Sequence, residues 1–276
     1  MDLSSATLRV VEGMPGSALR CGESGLPPGV LEEGTVKDQG AVGQALRQVI
    51  ARSEITATRA LVAVSDSLAS FRVLSFPMGT TDGALSAAVK NQLDLGSERM
   101  AYRYFDIPSS YAAERLVLAT VWDRHHVDTI VGAVRAAGLD PAVVDLKSMC
   151  MARTLTVDSC LLLDLLSKPC EAVLVDDRLP RVWHSFDVDR DGDVAQSIAA
   201  GLRPLVGFQR YAYASFGPES PILVRAEPAL AADGVARLEQ LTGRVVLPVP
   251  MPPRVGDEVR YLPYLTCLGL LMRRSH

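Results

Sequence analysis

Two short segments constrain the fold of this chain more than any others. Met1-Asp2-Leu3-Ser4-Ser5-Ala6-Thr7-Leu8-Arg9 and Leu161-Leu162-Leu163-Asp164-Leu165-Leu166-Ser167 each place an aspartate at the end of an apolar strand, just before a turn. Aspartate and serine favour turns by bonding their own backbone, and a carboxylate at a strand end is also placed to meet a ligand. Around both segments, strand and helix patterns alternate, which points to an α/β protein.

The 276 residues are enough for one large or two modest lobes with a substantial core. Apolar residues make up 48% and charged residues 22%, an ordinary globular composition, and a net charge of −4 gives no footprint for nucleic acid. The richest apolar runs, 160–166 and 265–272, fall short of the roughly 18 residues that a membrane span needs. The N-terminus carries no basic segment followed by a long apolar one, so no signal peptide is expected and the address reads as cytoplasmic. Cys21, Cys150, Cys160, Cys170 and Cys267 are widely spread without metal or redox spacing, and are expected to be small buried hydrophobes.

Residues 2–11 read as a strand with a polar turn at Ser4-Ser5, and the stretch with Gly22, Gly25, Pro27, Pro28 and Gly29 reads as a loop. A hairpin arm is expected around Glu32-Glu33-Gly34. Asp38 is placed to cap a helix whose Val42, Ala45, Leu46, Val49 and Ile50 share one face. Strands are expected at 59–65, 69–76, 102–107, 116–121 and 142–145. Helices are expected from Asp82, with Leu85, Ala88, Val89 and Leu93 inward, and from Asp123, with Val127, Ile130, Val131 and Val134 inward and a stop at Gly138. Residues 60–145 thus read as a block of their own, inserted in a larger α/β fold. Beyond it, a helix near 147–156 leads to a meander of strands at 160–164, 171–175 and 180–186. A long helical pattern over 191–214 contains Pro204, so a kink or two shorter helices are expected. A strand at 221–224, a helix at 230–242, a strand at 244–249 and a last helix at about 261–274 complete the chain.

Four stretches carry a family likeness. They are Asp2-Leu3-Ser4-Ser5-Ala6-Thr7-Leu8-Arg9-Val10-Val11-Glu12, Gly34-Thr35-Val36-Lys37-Asp38, Arg72-Val73-Leu74-Ser75-Phe76-Pro77 and Ala137-Gly138-Leu139-Asp140-Pro141-Ala142-Val143-Val144-Asp145. With the element order, they make the chain resemble the type IV pilus assembly protein PilM family, in the FtsA/PilM branch of the actin-like ATPase superfamily. The resemblance implies an actin-like (ribonuclease H-like) two-lobe fold with an inserted small α/β domain of the SHS2 type. It divides the chain into part of a first lobe over 1–58, the inserted domain over 59–145, a linking helix of the first lobe over 146–158, and a reduced second lobe over 159–276 whose last helix is free to return to the first lobe. It also implies a short N-terminal cytoplasmic peptide of a PilN-like inner-membrane protein as partner, met on the inserted domain or in the groove beside it, so that the protein works at the inner membrane through partners. Other pilus platform proteins and self-association remain open as further contacts.

In that superfamily two strand–Asp–Gly–Ser/Thr hairpins hold the phosphates of ATP, because glycine lets backbone N–H groups come close, while the aspartates hold Mg²⁺ through water. Here Ser4 replaces the first glycine. Leu166 stands where the second is expected and puts a large apolar side chain in the path of a phosphate. At the adenosine site a Gly-Gly turn is replaced by Arg225-Ala226-Glu227-Pro228, where Glu227 would repel a triphosphate. The subdomain between the second hairpin and the strand at 221–224 is reduced or missing. The resemblance therefore implies a degenerate cofactor site, of which Asp2, Ser4, Ser5 and Asp164 remain, with no catalytic and no metal-ligating residue and no ATP turnover. A working ATP-binding protein or ATPase with an ATP/Mg²⁺ site is the alternative, as is a cytoplasmic domain of the type II secretion GspL kind.

Smaller motifs give less. His125 and His126 lie about 100° apart on a helix and cannot share one ion. Asp187, Asp189, Asp191, Gly192 and Asp193 imitate the start of a calcium loop, but Ile198 stands where its bidentate glutamate belongs. No Gly-x-Ser-x-Gly nucleophile elbow occurs.

Overall fold

A computed structural model describes residues 1–276 except 15, 94, 96, 108–112, 208–215, 227, 253, 254, 256–258 and 274–276, and describes 228–233 and 259 by their backbone alone. The chain divides into two compact units, Met1–Glu12 with Arg20–Leu146, and Gly13–Leu19 with Lys147–His276.

In the first unit, β1 (Thr7–Glu12) pairs antiparallel with β2 (Arg20–Gly25). The first three residues fold back beside β1 and bridge to β5 (Arg59–Val64). Asp2 N donates to Arg9 O at 2.8 Å on one side, and Leu3 N donates to Ala63 O at 2.9 Å on the other. β5 runs parallel to β9 (Asp140–Leu146). Helices α1 (Gln39–Arg52) and α3 (Arg124–Ala136) complete the layer, capped by Asp38 and Asp123 as expected. Leu3, Leu8, Val10, Val42, Leu46, Val62, Ile130 and Val134 share its core. The arm is β3 (Leu31–Glu32) with β4 (Thr35–Val36).

The turn at Ser4-Ser5 within 2–11 is where it is expected, but 20–25 is a strand where a loop is expected. β2 escapes a period-two search because it carries no alternating apolar set and none of its residues is buried, and its ladder to β1 holds it. Gly22 is a close approach within that strand, since a Cβ there would lie 1.9 Å from Ser53 Oγ at the end of α1.

A second, smaller core lies within the same unit. β6 (Ala69–Pro77), β8 (Glu114–Asp123) and β7 (Met100–Ile107) form an antiparallel sheet in the order β6-β8-β7. Helix α2 (Asp82–Gln92) lays Leu85 and Val89 on Phe76, Val117, Ala119 and Val121. Arg115 pins the sheet to the helix, with Nη2 2.9 Å from Asp82 and Nε 2.7 Å from Asp106. The inserted piece with its own core is therefore β6 to β8. The sequence boundaries of 59–145 also take in β5, α3 and β9, which pack in the core of the first three residues, β1 and α1.

The second unit is a five-stranded sheet in the order β12-β11-β10-β13-β14. β10 (Cys160–Asp164), β11 (Cys170–Asp176) and β12 (Leu179–Phe186) are the expected meander, and β13 (Ile222–Arg225) and β14 (Val246–Pro248) add in parallel. Every residue of β10 and β11 is buried, because helices cover both faces. On one face, α5 (Val194–Gly207) and α6 (Pro228–Thr242) meet Leu161, Leu163, Leu174 and Ile222. On the other, α4 (Lys147–Ala152) and α7 (Leu265–Leu271) meet Leu162, Val173 and Leu223. The linking helix α4 thus belongs to the second unit and packs against α7. Gly269 allows that crossing, since a Cβ there would lie 1.8 Å from Cys150 O.

Three helices differ from expectation in length. After Ala152 the backbone closes i→i+3 bonds, such as Thr154 N to Met151 O at 3.0 Å, which tightens α4 to a stop. α5 keeps Pro204 in its last turn, and the remainder of the expected pattern, 208–215, lies outside the described residues. The C-terminal pattern divides into a 3₁₀ stretch, Val259–Tyr264, followed by α7.

Candidate functional site

The first hairpin turns on Asp2, which is buried. Its Oδ1 accepts from Ser4 N at 2.9 Å and from Ser4 Oγ at 2.6 Å. Ser5 serves the same turn: its Oγ donates to Thr7 O at 3.2 Å. The three polar residues expected to face a phosphate thus bond within the hairpin.

The second hairpin repeats the turn. Asp164 Oδ1 accepts from Leu166 N at 3.0 Å, again two residues on, and Oδ2 accepts from Ser167 Oγ at 2.9 Å. Here the carboxylate also meets charge. Lys147 Nζ stands 2.6 Å and Arg225 Nη1 2.9 Å from Oδ2. Lys147 also bonds Ser167 Oγ and lies 2.6 Å from Glu171 Oε2. Arg225, 1% exposed, directs Nε to Leu262 O at 3.1 Å and Nη2 to Pro263 O at 2.5 Å, which ties β13 to the 3₁₀ stretch before α7.

Register explains the cluster. Asp164 ends β10 opposite Glu171 on β11 and opposite Arg225 on β13, so three charged strand residues sit side by side. Lys147 begins α4 and supplies the second cation. A buried charge without a partner is very costly, and two cations beside two carboxylates remove that cost. Burial alone would raise the Asp164 carboxyl, but the charges of Arg225 and Lys147 outweigh it and hold the group well below the usual carboxylate range.

Asp164 is the one expected site residue in this cluster. The sequence motifs do not single out Lys147 or Glu171, and Arg225 enters them only where a Gly-Gly turn is replaced. A signal for Glu171 and Arg225 does exist: Cys170-Glu171-Ala172-Val173 and Leu223-Val224-Arg225 each set a charge inside a buried-type run, and such a charge demands a partner. Glu227, expected to repel a triphosphate, lies outside the described residues.

The chemistry of the donors follows from these bonds. A phosphate at either hairpin would need N–H groups, and the Ser4 and Leu166 N–H groups already bond an aspartate. A magnesium ion at Asp164 would have to displace two cations from one oxygen. Elsewhere, His125 N bonds Asp123 Oδ1 at 2.8 Å as part of a helix cap, and His126 Nδ1 lies 3.4 Å from Thr35 Oγ1. Asp189 Oδ1 accepts from Asp191 N and Gly192 N, and Asp193 Oδ1 accepts from Gln196 N at the start of α5, so the calcium-like run is a turn and a cap. Among the described residues no group of three or more His, Cys, Asp or Glu is placed to hold a metal. Cys150, Cys160, Cys170 and Cys267 are buried, and desolvation pushes the Cys160 thiol up to about 12.

No protein-family model matches the sequence, and no curated protein matches it. Solved structures do match. PilM, in the PilM–PilN type IV pilus biogenesis complex, superposes with a TM-score of 0.73 over 99% of this chain and 96% of that chain, at 17% identity. The fold is that of PilM. EutJ, an ethanolamine utilization protein from Carboxydothermus hydrogenoformans, matches with a TM-score of 0.52 at 12% identity over 98% of this chain and 87% of its own. The cytoplasmic domain of EpsL, an inner membrane component of the Vibrio cholerae type II secretion system, matches with a TM-score of 0.51 at 11% identity over 98% and 97%. PilM and these neighbours have the actin-like ATPase fold, and this chain shares it, as its sequence motifs imply. At such identities the likeness is one of fold. No helix among the described residues is long and apolar enough to cross a membrane.

Proposed function

We propose that this protein is a PilM-like scaffold that binds a short cytoplasmic segment of a PilN-like inner-membrane protein, in the cytoplasm beneath that membrane, without turning over ATP. One observation carries the reading: the likeness to PilM runs over nearly all of both chains, so it takes in the inserted β6–α2–β7–β8 piece as well as the two lobes. An extended peptide can add to a sheet edge or lie in a groove beside it, which is work such a scaffold can do without chemistry. The self-bonded hairpins at Asp2 and Asp164 support the absence of turnover.

Co-purification tests the partner. The N-terminal peptide of a single-span membrane protein encoded beside this chain should be retained on the immobilised protein, and its loss in the wash would remove the proposal. Titration with fluorescent ATP and Mg²⁺ tests the second half, and saturable micromolar binding would contradict it. The EpsL likeness supports a second reading, a type II secretion platform component. EutJ, from an unrelated system, matches equally well, so that likeness discriminates less than the PilM one. Neighbouring reading frames of pilus or secretion type separate the two.

A further inference from the structure

Lys147 occupies an unusual position for an ammonium group. Its Nζ lies 2.6 Å from Asp164 Oδ2 and 2.6 Å from Glu171 Oε2, and it joins carboxylates from two neighbouring strands, β10 and β11. Arg225 braces the same Asp164 oxygen from β13 at 2.9 Å. The formal charges of these four residues cancel, and each residue is less than a tenth exposed. The contact distances approach the about 2.3–2.6 Å at which carboxylate oxygens hold calcium. Two converging carboxylates on adjacent buried strands are what a hard divalent cation would use, and here a side chain stands between them.

We propose that Lys147, braced by Arg225, is a built-in counter-ion that does for Asp164 and Glu171 what a divalent ion would do, so that the second unit is complete without metal or nucleotide. Removing the ammonium converts the pair into a cation site: Lys147→Ala leaves both carboxylates facing a space the size of the lost group. The inference rests on the reading that the second hairpin holds no nucleotide, and the two fail separately. MgATP binding by the intact protein would sink that reading and leave the response of the variant standing.

The test is thermal melting of the intact protein and of Lys147→Ala, each prepared in EDTA and titrated with calcium or magnesium chloride against sodium chloride of equal ionic strength. The variant should melt below the intact protein in EDTA, and calcium should raise its melting temperature by roughly 5 °C or more, as a saturating ligand of the folded state does. Adding Asp164→Asn to Lys147→Ala should abolish the calcium response, and the intact protein should not move with either ion. A variant that ignores calcium overturns the proposal, as does a calcium shift in the intact protein or a Lys147→Ala protein that is insoluble in EDTA and in calcium alike.

Discussion

The two aspartate hairpins share one local geometry, with the carboxylate accepting the N–H two residues on at 2.9 Å in the first and 3.0 Å in the second, yet they differ in what surrounds that carboxylate. The Asp2 carboxylate accepts from the N–H and the hydroxyl of Ser4. Asp164 sits between two cations and shares one of them with a second acid. The first hairpin is a turn that a strand start can make anywhere. The second is the centre of a charge set in a sheet covered on both faces, where every charge must find its opposite. The contrast teaches that turn chemistry is local and cheap to alter, while charge pairing between strands is collective.

The largest break in that contrast is expected from Arg225→Met. It leaves Asp164 with one cation in place of two and frees the Leu262 and Pro263 carbonyls. Breaking a buried pair from one side costs about 3–5 kcal/mol, so chemical denaturation should show a loss of that order in the second unit. Lys147→Met together with Glu171→Gln, which removes one charge of each sign, should cost far less. Equal losses in the two proteins would show that volume, and not charge, sets the cost.

Gly269→Ala probes the same unit without touching its charges. A Cβ 1.8 Å from Cys150 O must push α7 off α4, and overpacking of this kind costs about 1–3 kcal/mol. The Arg225→Met loss should exceed it, and the reverse order would place the weight of this unit in helix contact.

How much of this could be read in the sequence depends on what kind of force holds each part. β5, β10 and β11 are legible because burial on both faces writes continuous apolar runs. α1 and α3 are legible from their caps and their spacing. β2 is not, because a polar strand held by main-chain bonds leaves no pattern. The extent of the inserted piece is not, because the parallel pairing of Arg59 with Asp140 joins residues far apart in the chain, which local order cannot show. At the candidate site, Asp164 is legible from its strand end. Lys147, Glu171 and Arg225 meet it only through the register of three strands and the start of a helix, and register is a property of the folded sheet.

Acid should separate the hairpins next. The folded Asp164 carboxyl lies below its unfolded value, so the unfolded chain binds more protons in the window between the two. Its contribution is therefore fully present above the unfolded value of about 3.9 and is lost as pH falls through the folded one. The stability of the second unit, followed by chemical denaturation, should fall steadily as pH drops through that window. In Asp164→Asn that part of the slope should vanish, although the protein is less stable at neutral pH because Lys147 and Arg225 lose a counter-ion. A slope unchanged by the substitution would assign the acid response to other carboxylates.

The smallest effect belongs to Asp2. Asp2→Asn keeps an acceptor oxygen for Ser4 N, and asparagine makes the same turn. The cost should be a few tenths of a kcal/mol, against about 1 kcal/mol for Asp2→Ala, which removes the acceptor from a buried N–H. Asp164→Asn, the same change at the matching position, should cost several times more, because it removes the charge that faces both Arg225 and Lys147 in a buried setting. Denaturation midpoints of the two Asn variants therefore compare one turn in two electrostatic settings. Matching midpoints would mean that the cations at Asp164 contribute nothing beyond the turn, and the distinction between the hairpins would reduce to their position in the chain.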